Sequence, residues 1–301
     1  MSTVSKQKLI VIIGPTASGK TGLSIELAKR YNGEVISADS RQVYRDLNIG
    51  TEKVTKKEMR GVCHYCIDVA NPKRTYTVEQ WRREAKKAIN SMSKRNKLPI
   101  VAGGTAFYVE SLVYGTSFPS VKPNAQLRKE LQKKTTEELF AQLKKLDPKR
   151  AKTIEAKNPR RLMRAIEIAT ELGSVPVLPI PKPLYDVTWI GINPGLDVLM
   201  ERIEYRLDST FKKGLVAETK KMREGLGLSW KRINEIGLEY RIVSEFLRGE
   251  ISRAEMKKNI IRELRKYAKR QMTWMKRNKE IIWYTSAEKA LKSLKLNVES
   301  I

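Results

Sequence analysis

A mostly parallel α/β sheet built around a phosphate-binding loop is the fold class this sequence predicts, with a helical insertion domain and a helical C-terminal region added to it. Three observations carry that expectation. The run Gly14-Pro15-Thr16-Ala17-Ser18-Gly19-Lys20-Thr21 fits G-x-x-x-x-G-K-[ST] at every fixed position and directly follows the apolar residues 9–13. Short apolar runs then alternate with stretches of helical periodicity, the signature of strand and crossover-helix units. Between residues 118 and 183 the pattern changes to amphipathic, strongly basic helices, and the strand pattern resumes at Asp186.

The elements follow in order. Residues 9–13 read as the first strand, and the glycines after it let the backbone fold close to an anion. Lys20 adds a point charge there, and the Thr21 hydroxyl suits Mg²⁺. A helix is expected over 22–31, strands over 34–38 and 66–69, and a helix over 78–95 behind the cap-like Thr77. A strand over 99–102 runs into Gly103-Gly104-Thr105, with a helix over 106–113 after it. In the insertion, helices are expected over 124–145 and 159–172, closed by a proline-rich run over 175–183. A strand over 187–192 rejoins the sheet, and from Pro194 the chain reads as successive helices ending in a long one over 253–277. The domains are accordingly 1–117, the first part of the core; 118–183, the insertion; and 184–301, the rest of the core with basic C-terminal helices.

Composition narrows the partners. With 41% hydrophobic residues in 301, the chain is globular, and nothing approaches the uninterrupted apolar run of about 18 residues that a membrane span needs. A soluble cytoplasmic protein with no membrane partner is expected. Sixty Lys and Arg against 33 Asp and Glu leave a net charge of +27, well beyond what solubility needs, so a polyanion, nucleic acid first, is the expected partner. The last long helix carries much of that charge as a stripe from Lys257 to Arg277, with Tyr267 and Trp274 interleaved and expected to pack rather than stack on bases. Cys63 and Cys66 flank His64, the sole histidine; no second Cys/His cluster completes a zinc site, so both thiols are expected buried or half-buried.

Most phosphate loops serve phosphoryl transfer and use an acid at the end of a neighbouring strand. Here Leu98-Pro99-Ile100-Val101-Ala102 ends without one, and Asp68 is a weak substitute. The best-placed acid is Asp39, at the end of the second strand, where open α/β sheets gather ligands. Contact with Mg²⁺, acceptance of a proton and capping of the next helix all remain open to it.

Six ordered motifs go further. The phosphate loop, Ile36-Ser37-Ala38-Asp39-Ser40-Arg41-Gln42-Val43-Tyr44 with Asn48-Ile49-Gly50-Thr51, and Gly103-Gly104-Thr105-Ala106-Phe107-Tyr108 resemble the tRNA dimethylallyltransferases. So do Asn158-Pro159-Arg160-Arg161-Leu162-Met163-Arg164-Ala165-Ile166-Glu167, Arg202-Ile203-Glu204-Tyr205-Arg206 and Tyr267-Ala268-Lys269-Arg270-Gln271-Met272-Thr273-Trp274. The resemblance implies transfer of a dimethylallyl group from its diphosphate to N6 of the adenosine 3′ to the anticodon, by a monomer that uses Mg²⁺. It implies Asp39 as general base, with Thr105 and Arg206 near the reacting centre, and Gly14, Pro15, Thr16, Ala17, Ser18, Gly19, Lys20 and Thr21 around the diphosphate. It implies tRNA contacts from Asp39, Ser40, Arg41, Gln42 and Thr105, and from Arg128, Arg160, Arg161, Leu162, Met163 and Arg164 of the insertion around the anticodon stem-loop. The base would have to leave its stack to react. The turn at Ile236-Gly237-Leu238-Glu239-Tyr240-Arg241 is about two residues longer than the family usually shows, His64-Tyr65 stands where relatives carry His-His, and the zinc finger of eukaryotic relatives is missing, as in a bacterial type. Two other classes share part of the pattern. An adenylate isopentenyltransferase would not need the basic insertion and tail, and a small-molecule kinase would need an acid after Val101.

Overall fold

Both faces of the strand Leu9-Ile10-Val11-Ile12-Ile13 are covered, which is why its apolar run is unbroken. The computed structural model describes residues 6–116, 119–177 and 182–294. The chain divides into two compact units, Met1–Gly115 with Pro183–Ile301, and Thr116–Lys182.

The first unit holds strands β1 (Lys8–Ile13), β2 (Gly33–Ser37), β3 (His64–Tyr65), β4 (Leu98–Gly103), β5 (Asp186–Ile192) and β6 (Ile282–Tyr284). They form one parallel sheet in the order β3-β2-β4-β1-β5-β6, with Ile10 opposite Ile100 on one side of β1 and Thr188 on the other. Before the insertion come helices α1 (Lys20–Arg30), α2 (Lys56–Met59), α3 (Val78–Lys94) and α4 (Ala106–Val113). The second unit holds α5 (Ala125–Leu131), α6 (Thr136–Leu146), α7 (Pro148–Thr153) and α8 (Pro159–Leu172). After it come α9 (Leu196–Lys212), α10 (Leu215–Glu224), α11 (Trp230–Ile236), α12 (Leu238–Leu247), α13 (Arg253–Met275) and α14 (Ala287–Ser293).

Alternation along β1 sorts the core. Ile10 and Ile12 face Leu23, Leu27 and Ala28 of α1 and Ala290 of α14, while Leu9, Val11 and Ile13 join the larger core with Trp81 and Ile89 of α3 and Leu112 of α4. Helix α3 starts at a capping box between Thr77 and Gln80, and its Trp81 is fully buried, stacked on Tyr108 at 4.7 Å with its indole N–H donated to the Ser37 carbonyl at 2.9 Å. Helix α13 turns Met256, Ile260, Leu264, Ala268, Gln271 and Met275 inward at helical spacing, which leaves its basic stripe outside.

Four local expectations are corrected. The strand expected over 66–69 lies at β3 instead, because Cys66 and Asp68 take left-handed backbone angles of 62° and 56°, which no strand continues through. Cys66 is buried and its thiol pushed up to about 12 by desolvation, but Cys63 is exposed. The single helix expected over 124–145 is two, since Thr135 and Glu138 form a capping box that starts α6 afresh. The C-terminal region is not all helix: β6 adds to the sheet beside β5, where a Cβ on Gly191 would stand 2.5 Å from the Trp283 ring. Of the proline-rich run at 175–183, residues 178–181 lie outside the described residues, as does Phe118 at the expected insertion boundary.

The second unit packs Leu131, Leu139, Leu143, Ala151, Leu162, Ala165 and Ile166 into its own core. Beside it lies Glu167, whose carboxylate is almost wholly buried and accepts two hydrogen bonds from Arg128, at 2.6 and 2.7 Å, one from Arg164 at 3.1 Å and one from the Asn124 amide at 3.0 Å. Burial alone would raise this carboxyl, but those donors outweigh it and hold it below its ordinary 4.5. The network therefore contributes stability above about that pH and loses it as the pH falls through the lowered value. Glu167→Ala should destabilise the chain by about 1–3 kcal/mol in a urea titration at pH 7, the moderate figure reflecting the solvent access that the Arg128 and Arg164 side chains keep, 40% and 33%.

Candidate active site

Parallel strands end at one edge of the sheet, so the loops after β1, β2 and β4 meet there although they are far apart in sequence. The loop after β1 is the phosphate loop. Gly14 allows it to leave the sheet, since a Cβ there would stand 2.4 Å from the Ile192 carbonyl oxygen, and Gly19 supplies a left-handed cap, φ 95°, for the start of α1. Lys20 donates from Nζ to the Pro15 carbonyl at 2.6 Å and the Ser18 hydroxyl at 3.3 Å. Burial lowers its ammonium to about 8, Asp39 and Glu52 pull the value back up, and Arg206 adds to the drop. The Thr21 hydroxyl side of the first turn of α1 is exposed.

The loop after β2 carries Asp39, half-buried, whose Oδ1 accepts from the amides of Arg41 at 2.8 Å and Gln42 at 3.3 Å. No helix follows for Asp39 to cap: residues 40–43 form a turn, which its Oδ1 holds, and its other carboxylate oxygen is left for further chemistry. The turn is held from the β4 side: Thr105 Oγ1 accepts from the Ser40 amide at 3.1 Å, and the Thr105 amide donates to the Ala38 carbonyl at 3.0 Å. Gly103 makes that approach feasible, because a Cβ there would lie 2.2 Å from the Ala38 oxygen. Arg41 is ion-paired with Glu239 at 2.7 Å, with its guanidinium 5.3 Å from the Tyr267 ring centre. Gln42 donates to the Glu52 carbonyl at 3.2 Å.

Helix α9 brings Arg206 to the same edge. Its Nη2 donates to Thr16 Oγ1 at 2.8 Å, and its Nε is ion-paired with Glu52. One turn earlier on the same face, Arg202 reaches the Ala17 carbonyl at 3.4 Å. The fourth supplier is α13: Gln271 Oε1 accepts from the Thr16 amide at 3.0 Å and its Nε2 donates to the Gly104 carbonyl at 3.0 Å, tying the phosphate loop to the loop after β4. Asp39, Thr105, Lys20 and Arg206 are therefore assembled at one place.

The insertion residues divide. Leu162 is fully buried in the core of its unit, so its side chain packs instead of meeting RNA, and Met163 packs against that core. Arg128 and Arg164 are engaged by Glu167. Arg160 and Arg161 are exposed on the first turn of α8, Arg161 beside Glu155 at 3.3 Å. Asp68, the weak alternative acid, is ion-paired with Lys53 at 2.5 Å. Tyr267 is half-buried between Arg41 and Arg270 and packs against the main core as expected, and Trp274 lies edge-on to Phe107 at 6.4 Å and donates its indole N–H to Glu110 at 2.6 Å.

Sequence reasoning missed Glu52, Arg202, Glu218 and Gln271. Arg202 was signalled by its spacing of four from Arg206. Glu218 accepts from the amides of Asn48, Ile49 and Gly50 at 2.7 to 3.0 Å and from the Tyr240 hydroxyl at 2.7 Å, fixing the turn that presents Glu52. Nothing local to Glu218 or Gln271 announces such distant partners.

Known proteins match this arrangement along nearly all of the chain. Residues 42–278 match the family model described as IPP transferase. A tRNA dimethylallyltransferase of Acetivibrio thermocellus is 41% identical, covering 95% of this chain and 96% of the relative, and one of Alkaliphilus metalliredigens is 38% identical, covering 98% of each. The crystal structure of the full-length tRNA isopentenylpyrophosphate transferase from Bacillus halodurans superposes with a TM-score of 0.72 at 35% identity, over 95% of this chain and 94% of that one. Phosphate loop, paired strand-end loops and sequence agree, and the chain belongs to the IPP transferase family.

Proposed function

We propose that this protein, acting as a cytoplasmic monomer, transfers a dimethylallyl group from dimethylallyl diphosphate to N6 of the adenosine 3′ to the anticodon in tRNA. The products are N6-isopentenyladenosine and diphosphate. The observation that carries the reading is the pairing, at one sheet edge, of a cationic phosphate loop with a carboxylate held by its own turn: Arg206 lies 2.8 Å from Thr16, and Asp39 caps the turn that Thr105 braces. An exocyclic amine is a poor nucleophile, so such a site gains rate by alignment, by a base for the amine proton and by stabilising the departing anion. In this reading Asp39 takes the N6 proton, Thr105 keeps Asp39 and Ser40 in register, and Lys20, Arg206 and the loop amides receive the diphosphate. Ser40, Arg41 and Gln42 border the flipped base. Among the described residues no helix is long and apolar enough to cross a membrane.

Mg²⁺ belongs to the proposal as a companion of the diphosphate. Among the described residues no three Asp, Glu, His or Cys side chains converge on a metal position, and Mg²⁺ beside phosphates takes few protein ligands, completing its shell with phosphate oxygens and water. The exposed Thr21 hydroxyl fits that role. When bound, the ion would offset charge on the leaving diphosphate.

Incubation with dimethylallyl diphosphate, Mg²⁺ and a synthetic anticodon stem-loop should add one dimethylallyl group to the RNA, read by mass spectrometry. Equal prenylation of free AMP would return the adenylate transferase, and ATP turnover unaffected by diphosphate would return the kinase. The exposed pair on α8 gives a separate expectation. Arg160→Ala with Arg161→Ala should weaken stem-loop binding and lower the log-log salt slope by roughly one to two, because each lost phosphate contact removes about one released counterion. Donor binding should stay as it was.

A further inference from the structure

Glu52 is a half-buried carboxylate set into the phosphate site, and its backbone is held hard. It takes a left-handed φ of 50°, its amide donates to the Ile49 carbonyl at 3.1 Å, its own carbonyl accepts from Gln42, and Glu218 grips the three amides just before it. So constrained a turn delivers its side chain to one place, and that place is the Arg206 Nε. Arg206 in turn reaches the phosphate loop at Thr16.

We propose that Glu52 is a positioning residue that competes with the diphosphate of the prenyl donor for Arg206, so that donor binding takes up one proton from solvent onto the Glu52 carboxylate. This rests on the reading of the loop as a diphosphate site.

The charges around Glu52 explain why the proton is the escape. Arg206 of α9 and Lys20 of α1 face it as cations, while Glu239 of α12 and Asp39 after β2 face it as anions. Burial lifts its carboxyl to about 7, Arg206 opposes the rise, and Glu239 and Asp39 add to it. A diphosphate on the loop brings further negative charge and draws the Arg206 guanidinium towards itself, so the ionised form of Glu52 loses its partner and gains a repulsion. The sign follows: below about pH 7 Glu52 is already neutral and the competition is absent, and above it each donor bound must first neutralise a carboxylate. Arg206 thus has two anionic partners, and pH chooses between them.

Calorimetric titration of wild type and Glu52→Gln with inorganic diphosphate and Mg²⁺, in two buffers of different ionisation enthalpy, counts the protons. Wild type should take up more protons than the variant at pH 8, by less than one because Lys20 also takes up a proton there in both, and no more than it at pH 5.5. The variant should bind diphosphate about tenfold tighter at pH 8 and equally at pH 5.5. In turnover with the stem-loop, the same pH-dependent gap should fall on the KM for the donor. Glu52→Ala should match Glu52→Gln in proton count, and the wild-type excess uptake should itself fade with acid. Equal proton counts for wild type and both variants at pH 8, or a KM gap that ignores pH, overturn the proposal while leaving the diphosphate site intact. Failure of diphosphate to bind the wild type overturns the functional reading and this inference together.

Discussion

Asp39→Asn should lower single-turnover prenylation of the stem-loop by about 10² to 10⁴ while RNA affinity stays within a few fold. The isosteric amide can still accept from the Arg41 and Gln42 amides through its oxygen, so the turn that Asp39 caps at 2.8 and 3.3 Å should survive. What it cannot do is take a proton. Because Thr105 independently braces Ser40 at 3.1 Å, a collapse of the loop is not the expected route to the loss. Rapid-quench kinetics with saturating donor make the check, and a variant turning over at the wild-type rate removes Asp39 from the proton transfer.

Lys20→Ala should cost about 10² to 10³ in kcat/KM for the prenyl donor, the range found when one preorganised donor to a developing anion is removed. Lys20 sits within its own loop, donating to Pro15 and Ser18, so truncation removes charge from the centre of the cradle and two contacts that shape it. A pH expectation accompanies it. Burial brings the ammonium to about 8, and only the charged form receives an anion, so wild-type kcat/KM should fall as the pH rises through about 8. Bound donor holds the proton on, so kcat at saturation should fall at a higher pH. Lys20→Ala should lack the limb near 8 and keep only the weakening that Glu52 adds above about pH 7.

The parts of this molecule that chemistry writes locally were legible in the sequence. The phosphate loop, the strand ending at Asp39, the Thr77 cap and helices α4 and α8 all have their determinants within a few residues of themselves. Thr135-x-x-Glu138 and Asp147-Pro148 were equally local signals, of a second helix in the insertion and of a third, and a closer reading of caps would have found both. Strand β3 was displaced because apolar content at Cys66-Ile67 outweighed any hint of the left-handed angles that bend the chain there. In the site the limit is of another kind. Thr105 and Arg206 were assigned through resemblance to a family, whereas the contacts that build the site around them, Glu52 with Arg206, Glu218 with the amides of residues 48–50, and Gln271 with Thr16 and Gly104, join residues that only the fold brings together. Leu162, assigned to RNA by the same resemblance, is turned inward by helical spacing with Ala165 and Ile166, while Arg160 and Arg161 stay outside.

The Gln271 clamp has a consequence for how the protein comes into being. Its two partners, Thr16 and Gly104, precede it by 255 and 167 residues. A ribosome adding about 5–20 residues per second emits the phosphate loop roughly 10–50 s before the side chain that ties it down. During that interval the nascent chain already carries an anion-binding loop in a cell crowded with nucleotides and free phosphate esters, yet lacks the brace that joins it to the neighbouring loop. Competence therefore arrives only once α13 has been made and docks, and a truncated product of aborted translation that lacks α13 would bear the phosphate loop without the means to set it.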